Sequence, residues 1–120
     1  MKGYGINMFK QGSIILIPFP FTDQSGNKVR PALVVSNDVF NGGGEDVIVC
    51  AITSNIQEKP YSVLIDGKYL VKKKLKDKSM IKVDALLRIK KSMIIREIDK
   101  IDNRLFSQIL KVLKSIFYNF

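Results

Sequence analysis

Short apolar runs separated by polar, glycine-containing segments make up most of the first hundred residues. The run "SIILIPFPF" (13–21) predicts a buried strand that ends at its prolines. The polar segment 23–28 predicts a loop, and residues 30–36 predict the second strand. A second loop is expected over 37–46, where three consecutive glycines would leave the backbone mobile.

Three further apolar segments predict more strands. The run "VIVCAITS" (47–54) is continuous and β-branched, which is typical of a central strand. Residues 61–65 and 79–89 predict two more strands, and residues 91–98 predict one short extended piece.

The hydrophobic period changes at the C-terminus and predicts a helix over about 102–117, with Asp102 as its N-cap. Its apolar residues recur at helical spacing and form one stripe that is expected to face the core: Leu105, Phe106, Ile109, Leu110, Leu113, Ile116 and Phe117. The whole pattern predicts a mainly β protein, a small and strongly bent antiparallel sheet or barrel closed by a C-terminal helix.

The length of 120 residues predicts a single domain over 1–120. The first residues contain no apolar run of the kind a signal peptide needs. The longest apolar stretch, residues 14–21, is too short to span a bilayer. We therefore expect a cytoplasmic protein that does not enter a membrane.

The charge and the reactive residues narrow the possible chemistry. Twenty Lys and Arg against eleven acidic residues give a net charge of +9, which favours a polyanionic partner such as nucleic acid or an acidic protein segment. Sixteen of the twenty cations are Lys, which is also compatible with a positive charge that serves only solubility. There is no histidine and only one cysteine, Cys50, so Ser-His-Asp and Cys-His catalysis are excluded. For the same reason we expect neither a metal site nor a cofactor.

Polar residues stand at the ends of the predicted strands. Arg30 opens the second strand, and Thr53 and Ser54 end the central one. Alternation places Lys82 and Asp84 on one face of a later strand. An arginine fork, a hydroxyl, a cation and an acid together suit binding and cleavage of a phosphodiester.

Each of these residues also has a purely structural interpretation. Arg30 is close enough in sequence to pair with Asp38 across a loop. Thr53 is β-branched and suits any strand. Lys82 and Asp84 suit an exposed ion pair of small energetic value.

The blocks "GSIILIPFPFTDQSGNKVRPALVVSND", "DVIVCAITSN" and "SMIKVDALLRIKKSMI" resemble, in this order, those of the PemK/MazF family of toxin endoribonucleases. The Arg-Pro pair at 30–31 and the Thr-Ser pair at 53–54 are the most specific marks. The resemblance implies one toxin domain with an SH3-like β-barrel, a C-terminal helix and homodimer formation. It also implies metal-independent cleavage of single-stranded RNA, and an antitoxin whose acidic, flexible tail covers the active groove.

The resemblance also implies roles for individual residues. Arg30 and Thr53 match the family's catalytic pair. Asp84 matches an aspartate that some members have, and we expect it to be the general base. Lys82 stands where those members have an arginine, and the histidine that some members use in the first loop is absent here. The expected reaction is attack of the ribose 2′-oxygen on phosphorus, which leaves a 2′,3′-cyclic phosphate and a 5′-hydroxyl.

The residues expected to contact RNA are Phe21, Lys28, Ser54, Gln57 and Lys82. We expect the loop 21–29 to gate the groove, with Gly26 permitting its movement, and Pro31 to hold Arg30 at the groove's rim. Phe19 is expected to belong to the core.

Two other functions are compatible with the same fold. A gyrase inhibitor of the CcdB type binds a protein and cleaves nothing, but that class relies on a C-terminal tryptophan, and this chain has no tryptophan. A non-catalytic RNA-binding module is the second alternative.

Overall fold

The computed structural model describes residues 9–19 and 28–119, which form six strands, two α-helices and two 3₁₀ turns. The elements, in chain order, are β1 (Ser13–Phe19), β2 (Lys28–Val34), α1 (Asp38–Gly42), β3 (Asp46–Thr53), β4 (Ser62–Ile65), β5 (Ser79–Lys90), β6 (Arg96–Lys100) and α2 (Asn103–Phe117). The 3₁₀ turns are Gly67–Tyr69 and Lys91–Met93.

All pairs of neighbouring strands are antiparallel, in the order β4-β5-β3-β2-β1-β6. The sheet curls into a half-barrel, and α2 follows it at the C-terminus. The expected mainly β architecture with a C-terminal helix is confirmed. No helix in the described ranges is long and apolar enough to cross a membrane.

The two faces of the sheet bury two separate apolar clusters, because successive side chains of a strand point to opposite faces. Leu33 and Cys50 belong to the larger cluster, which α2 covers with Leu105 and Ile109. The residues on the other face form the smaller cluster: Ile15, Ile17, Ala32, Val34, Val47, Val49 and Ile89. The candidate site lies on this second face.

The segment after β4 closes the barrel by reaching β6 at the opposite edge of the sheet. Leu70 forms an isolated antiparallel bridge with Ile101. The backbone N–H of Val71 donates to the carbonyl of Lys100 at 2.8 Å. An open sheet edge would expose unpaired backbone groups, and this segment covers the end of the β6 edge.

Asp99 fixes this closing segment from inside. Its side chain is fully buried, and its carboxylate accepts hydrogen bonds from the backbone N–H groups of Lys72, Lys74, Leu75 and Lys100 at 2.7–3.0 Å. Burial alone would raise the pKa of this carboxyl. The four donors outweigh burial, so the pKa is lowered below its usual value.

The second strand begins two residues earlier than predicted, at Lys28. Lys28 and Val29 pair with Phe19 and Pro18 of β1, so they belong to the hairpin and not to a loop. The expected gating loop 21–29 is therefore wrong for these two residues, and its remainder lies outside the described residues. Arg30 is consequently the third residue of the strand and not its first.

Pro31 explains why β2 and β3 separate next to Arg30. The two strands pair only from Ala32–Ala51 to Val34–Val49. The N–H of Val35 donates to Ile48 of β3, and alternation turns the backbone nitrogen of residue 31 toward β3 as well. Because proline has no N–H, the next hydrogen bond of the ladder cannot form.

Residues 37–46 are not the mobile loop that the three glycines suggested. They contain α1, whose N-cap Asn37 accepts a hydrogen bond from the N–H of Phe40 at 2.8 Å. Asn41 is fully buried, and its amide donates to the carbonyls of Phe9 and Ser36. These bonds order the segment despite its glycines.

The C-terminal predictions are largely confirmed. Asp102 is the N-cap of α2 and accepts from the N–H of Leu105 at 3.1 Å. The stripe prediction was wrong for Phe117, which is 71% exposed at the end of the helix. Residues 91–98 are not one extended piece, because Lys91–Met93 form a 3₁₀ turn before β6 begins.

The buried carboxylate of Asp99 predicts a specific acid sensitivity. Asp99→Asn should lower the free energy of unfolding by about 3 kcal/mol at pH 7. The amide leaves buried backbone donors unsatisfied, at about 1–3 kcal/mol each. Because the folded-state pKa is lowered, the stabilisation is complete above the unfolded-state pKa of about 3.9 and is lost as pH falls through the folded value. Urea titrations at pH 7 and pH 3 measure both effects.

The matched control is Asp77→Asn, since Asp77 is exposed. This variant should have the wild-type free energy of unfolding at pH 7 and the wild-type decrease in it between pH 7 and pH 3. In Asp99→Asn the free energy of unfolding should decrease less over the same pH range. Equal acid sensitivity in all three proteins would contradict the role given to Asp99.

Candidate functional site

Arg30 carries a buried polar atom that has no partner. The residue is half-buried, and its Nε is shielded from solvent without a hydrogen-bond acceptor anywhere in the described part of the chain. The pairing with Asp38 that we considered is not formed, because Asp38 accepts instead from the N–H of Gln11 at 2.9 Å. A buried donor without an acceptor costs about 1–3 kcal/mol, and an anionic ligand would remove that cost.

Thr53 is the last residue of β3 and keeps a free donor. Its Oγ1 accepts a hydrogen bond from the N–H of Asn55 at 3.1 Å. Since this bond uses a lone pair, the hydroxyl hydrogen remains able to donate. Thr53 is thus more than a β-branched strand residue.

Arg30 and Thr53 lie on the same face of the sheet. Arg30 pairs with Ile17 of β1, whose side chain belongs to the smaller cluster together with Ala32. Ala32 pairs with Ala51, and the same register continued by two residues places Arg30 opposite Thr53. The two predicted catalytic residues therefore stand on either side of the gap that opens beyond Pro31.

A small cleft of about 60 Å³ begins at Thr53. It is lined by Thr53, Asn55, Gln57, Lys59, Ser62, Met80 and Lys82. Three residues predicted from the sequence, Thr53, Gln57 and Lys82, thus come together. Ser54 is exposed directly after the strand but does not line this cleft.

The cleft contains four residues that the sequence did not indicate. Asn55 and Lys59 follow Thr53 in a polar stretch, which is the only signal the sequence gives for them. Ser62 and Met80 come from β4 and β5, and only the strand register brings them to the cleft.

Lys82 and Asp84 do not act as a pair. Lys82 lies between Ala51 of β3 and Ser62 of β4 and faces the cleft. Cys50 pairs with Leu86 while Ala51 pairs with Lys82, so residues 83–85 form a bulge without partners in β3. Asp84 lies in this bulge, exposed, and no ion pair of the described residues joins it to Lys82.

Asp84 does not line the cleft. Thr53 pairs with Met80, and Asp84 follows Met80 by four residues, within the bulge. The structure therefore brings Lys82 to the cleft but not Asp84.

Tyr61 connects the bulge to the turn before β4. Its φ of 67° lies in the left-handed region, which costs a bulky residue about 1–2 kcal/mol. In this conformation its carbonyl accepts the N–H of Val83 at 2.9 Å. This strained residue thus helps to fix the bulge that follows Lys82, and no sequence pattern indicated it.

The two remaining residues expected to contact RNA are Lys28, at the start of β2, and Phe21, which precedes it in the sequence. Lys28 is exposed and, by alternation, on the same face as Arg30. Phe21 lies outside the described residues. The side chain of Phe19 is also outside the described part of the structure, so its expected place in the core stays a prediction.

The sequence model of the PemK-like, MazF-like toxins of type II toxin-antitoxin systems matches residues 10–117 of the chain. The chain belongs to the PemK/MazF family. None of the curated proteins compared with it matches.

Solved structures of PemK/MazF toxins share the fold. A mycobacterial endoribonuclease in complex with its cognate antitoxin has a TM-score of 0.73 at 15% identity, over 91% of this chain and 94% of that one. The MazE-MazF complex (Form-III) from Deinococcus radiodurans has a TM-score of 0.75 at 20% identity, over 92% and 96%. The Mycobacterium tuberculosis toxin MazF-mt6 has a TM-score of 0.71 at 17% identity, over 88% and 95%.

Cys50 of this PemK/MazF chain is not suited to nucleophilic chemistry. It is buried, and its Sγ lies 3.5 Å from the carbonyl of Val83. Burial, and to a smaller extent the carboxylate of Asp84, raises the pKa of the thiol to about 12. Within residues 9–19 and 28–119, no three potential metal ligands come together.

The raised pKa of Cys50 predicts very slow thiol labelling. At pH 8 the folded protein should react with a disulfide reagent about 1,000-fold more slowly than the unfolded chain, because a pKa of about 12 instead of about 8.5 lowers the thiolate fraction by that order. Absorbance of the released chromophore, with and without denaturant, measures the two rates. Rapid labelling of the folded protein would show that the thiol is accessible and ionised.

Proposed function

We propose that this chain is a metal-independent endoribonuclease toxin that cleaves single-stranded RNA and is inhibited by a cognate antitoxin. The observation that carries the proposal is the buried Nε of Arg30, which has no acceptor among the described residues, on the same sheet face as Thr53 and the cleft that holds Lys82. These groups offer a phosphate several donors and positive charge. The fold shared with an endoribonuclease bound to its cognate antitoxin supports the same activity and partner.

In the proposed reaction, the ribose 2′-oxygen attacks the adjacent phosphorus and the bond from phosphorus to the 5′-oxygen breaks. The products are a 2′,3′-cyclic phosphate and a 5′-hydroxyl. Arg30 stabilises the charge that develops on the nonbridging oxygens, and Thr53 donates a hydrogen bond to the same group. RNA is cleaved and DNA is not, because DNA lacks the attacking oxygen.

Arg30 does not serve as the base, since a guanidinium stays protonated at ordinary pH. The proton of the 2′-hydroxyl goes to the general base, for which Asp84 remains our candidate. Lys82 is close enough to the cleft to neutralise or protonate the leaving 5′-oxygen. For Asp84 to act, the substrate has to extend along β5 from the cleft to the bulge, because Asp84 does not line the cleft.

Gln57 and Lys82 contact the RNA from within the cleft, and Ser54 does so from its edge. Lys28 binds phosphate on the Arg30 side of the same face. Phe21 stacks on an unpaired base, which every base permits because each has a flat π-face.

We propose further that the working protein is a homodimer, as the family resemblance implies. The antitoxin contributes a flexible acidic tail that occupies the groove in place of RNA. The net charge of +9 favours both the RNA and such a tail.

Arg30→Ala should lower cleavage of single-stranded RNA by roughly 100-fold or more, the usual cost of removing a donor that stabilises transition-state charge. Thr53→Val should impair cleavage while Thr53→Ser retains it, because only the hydroxyl matters. The measurement is cleavage of a mixed-sequence RNA in excess EDTA, with the product ends mapped for cyclic phosphate.

Arg96→Ala is the matched control, since Arg96 is exposed and pairs with Leu16, on the opposite face from Arg30. Replacing the scissile ribose by deoxyribose should abolish cutting at that position. Undiminished cleavage by Arg30→Ala, or no cleavage by the wild-type protein, would refute the proposed activity.

Asp84→Asn tests the general base separately. Loss of a general base lowers turnover by about 10²–10⁴-fold. RNA affinity should stay within about threefold, because the substitution removes no phosphate contact. Single-turnover rates and equilibrium binding distinguish the two effects, and Glu45→Gln, at an exposed acid outside the clefts, is the charge-matched control. If turnover is retained, another group takes the proton.

A further inference from the structure

The cleft at Thr53 is the first of three that share lining residues. A second cleft of about 440 Å³ shares Lys59, Ser62 and Met80 with it and extends to Leu64 at the edge strand. A third, of about 400 Å³, shares Leu64 with the second. These three adjoining clefts, which lie along β5, β4 and the segment after β4, are called the groove below.

The far end of this groove reaches a lysine-rich segment, residues 68–78. The third cleft is lined by Lys76 and Lys78 from this segment. Six lysines and one aspartate fall within the eleven residues, so the segment carries +5 of the chain's net +9. The charge is therefore concentrated at one end of the groove.

The lysine side chains of the segment are mostly available to a ligand. Lys76 and Lys78 are exposed, and neither takes part in an ion pair or a side-chain hydrogen bond with any described residue. The Nζ of Lys73 donates to the carbonyls of Gly67 and Leu70. The Nζ of Lys72 lies 3.8 Å from Oε1 of Glu97. Lys76 and Lys78 are thus the cations of the segment that are both free and in the groove.

The linings of the second and third clefts carry as many acids as lysines, so the excess positive charge comes from the rest of segment 68–78. Glu58 lines the second cleft, and Asp66 and Asp77 line the third. Asp66 is already engaged by Lys68, whose Nζ lies at 3.9 Å and whose N–H donates to its carboxylate. Lys59 adds a further cation midway along the groove.

The backbone of the segment is held in place before any ligand binds. Asp99 accepts the N–H groups of Lys72, Lys74 and Leu75, so the segment is fixed through its main chain and its side chains point elsewhere. A surface that is already ordered loses less entropy when it binds than a flexible one does.

We infer that Lys76 and Lys78 form a second phosphate-binding site, which holds nucleotides of the RNA that lie outside the cleaved phosphodiester. This inference rests on the proposed function, because it takes single-stranded RNA as the ligand of the groove. The RNA chain runs from Thr53 across Met80 and Leu64, which is about 10 Å at the usual spacing between β-strands. It then continues to the two lysines. The site contributes affinity for longer RNA and takes no part in the chemical step.

The test compares Lys76→Ala/Lys78→Ala with the wild-type protein in binding a labelled 20-nucleotide 2′-O-methyl RNA. This probe cannot be cleaved by attack of its 2′-oxygen, so binding is measured independently of activity. Each single-strand phosphate contact contributes about 0.7 to the slope of log K against log salt. Two lost contacts lower the slope by about 1.4, which corresponds to roughly 25-fold weaker binding at 0.1 M salt.

The matched control is Lys111→Ala/Lys114→Ala, which removes the same charge from the exposed face of α2, away from the groove. This variant should bind within about twofold of the wild-type protein and keep its salt slope. Circular dichroism melts of both variants establish that they are folded.

Equal weakening in the two double variants would overturn the inference, since it would reduce the effect to net charge. Failure of the wild-type protein to bind the 20-mer would overturn it as well. Binding with the expected loss, in a protein that cuts no RNA in EDTA, would support the phosphate site and refute only the proposed catalysis.

Discussion

The missing N–H of Pro31 determines where the candidate site lies. The ladder between β2 and β3 ends at Ala32 and Ala51, because the next donor would be the nitrogen of a proline. Beyond that point the two strands no longer share hydrogen bonds, and Arg30 and Thr53 stand on the two sides of the opening. β3 continues to pair with β5 there, which brings Lys82 and the β4 edge to the same face. One imino acid thus accounts for the opening between β2 and β3 beside Arg30.

Local chemistry explains which parts of the fold could be predicted from the sequence. Strands with continuous β-branched runs, and a helix with an N-cap and an apolar stripe, are specified by neighbouring residues. The helix α1 was missed because three glycines suggested mobility, while the bonds that order the segment come from Asn37 and the buried Asn41. The early start of β2 was missed because it depends on pairing with β1, not on the polar character of Lys28.

The same distinction, between features specified by neighbouring residues and features that depend on strand pairing, applies to the candidate site. Arg30, Thr53 and Lys82 could be proposed from the sequence because they stand at recognisable positions in strand segments. Ser62 and Met80 could not, because their place in the cleft follows from the register of β4 on β5. Simple alternation also put Asp84 beside Lys82. The bulge of residues 83–85, held in part by the strained Tyr61, changes the register there, and no local pattern encodes it.

Asp99 anchors residues 72–75 through their main chain. The conformation of this segment therefore depends little on which side chains it carries. The carboxylate bonds only main-chain N–H groups, which every residue except proline supplies. Mutation can therefore change the charge at positions 72 and 74 without loosening the barrel closure. In evolution, and equally in protein engineering, the charge of this strip of surface can be altered while the scaffold remains the same.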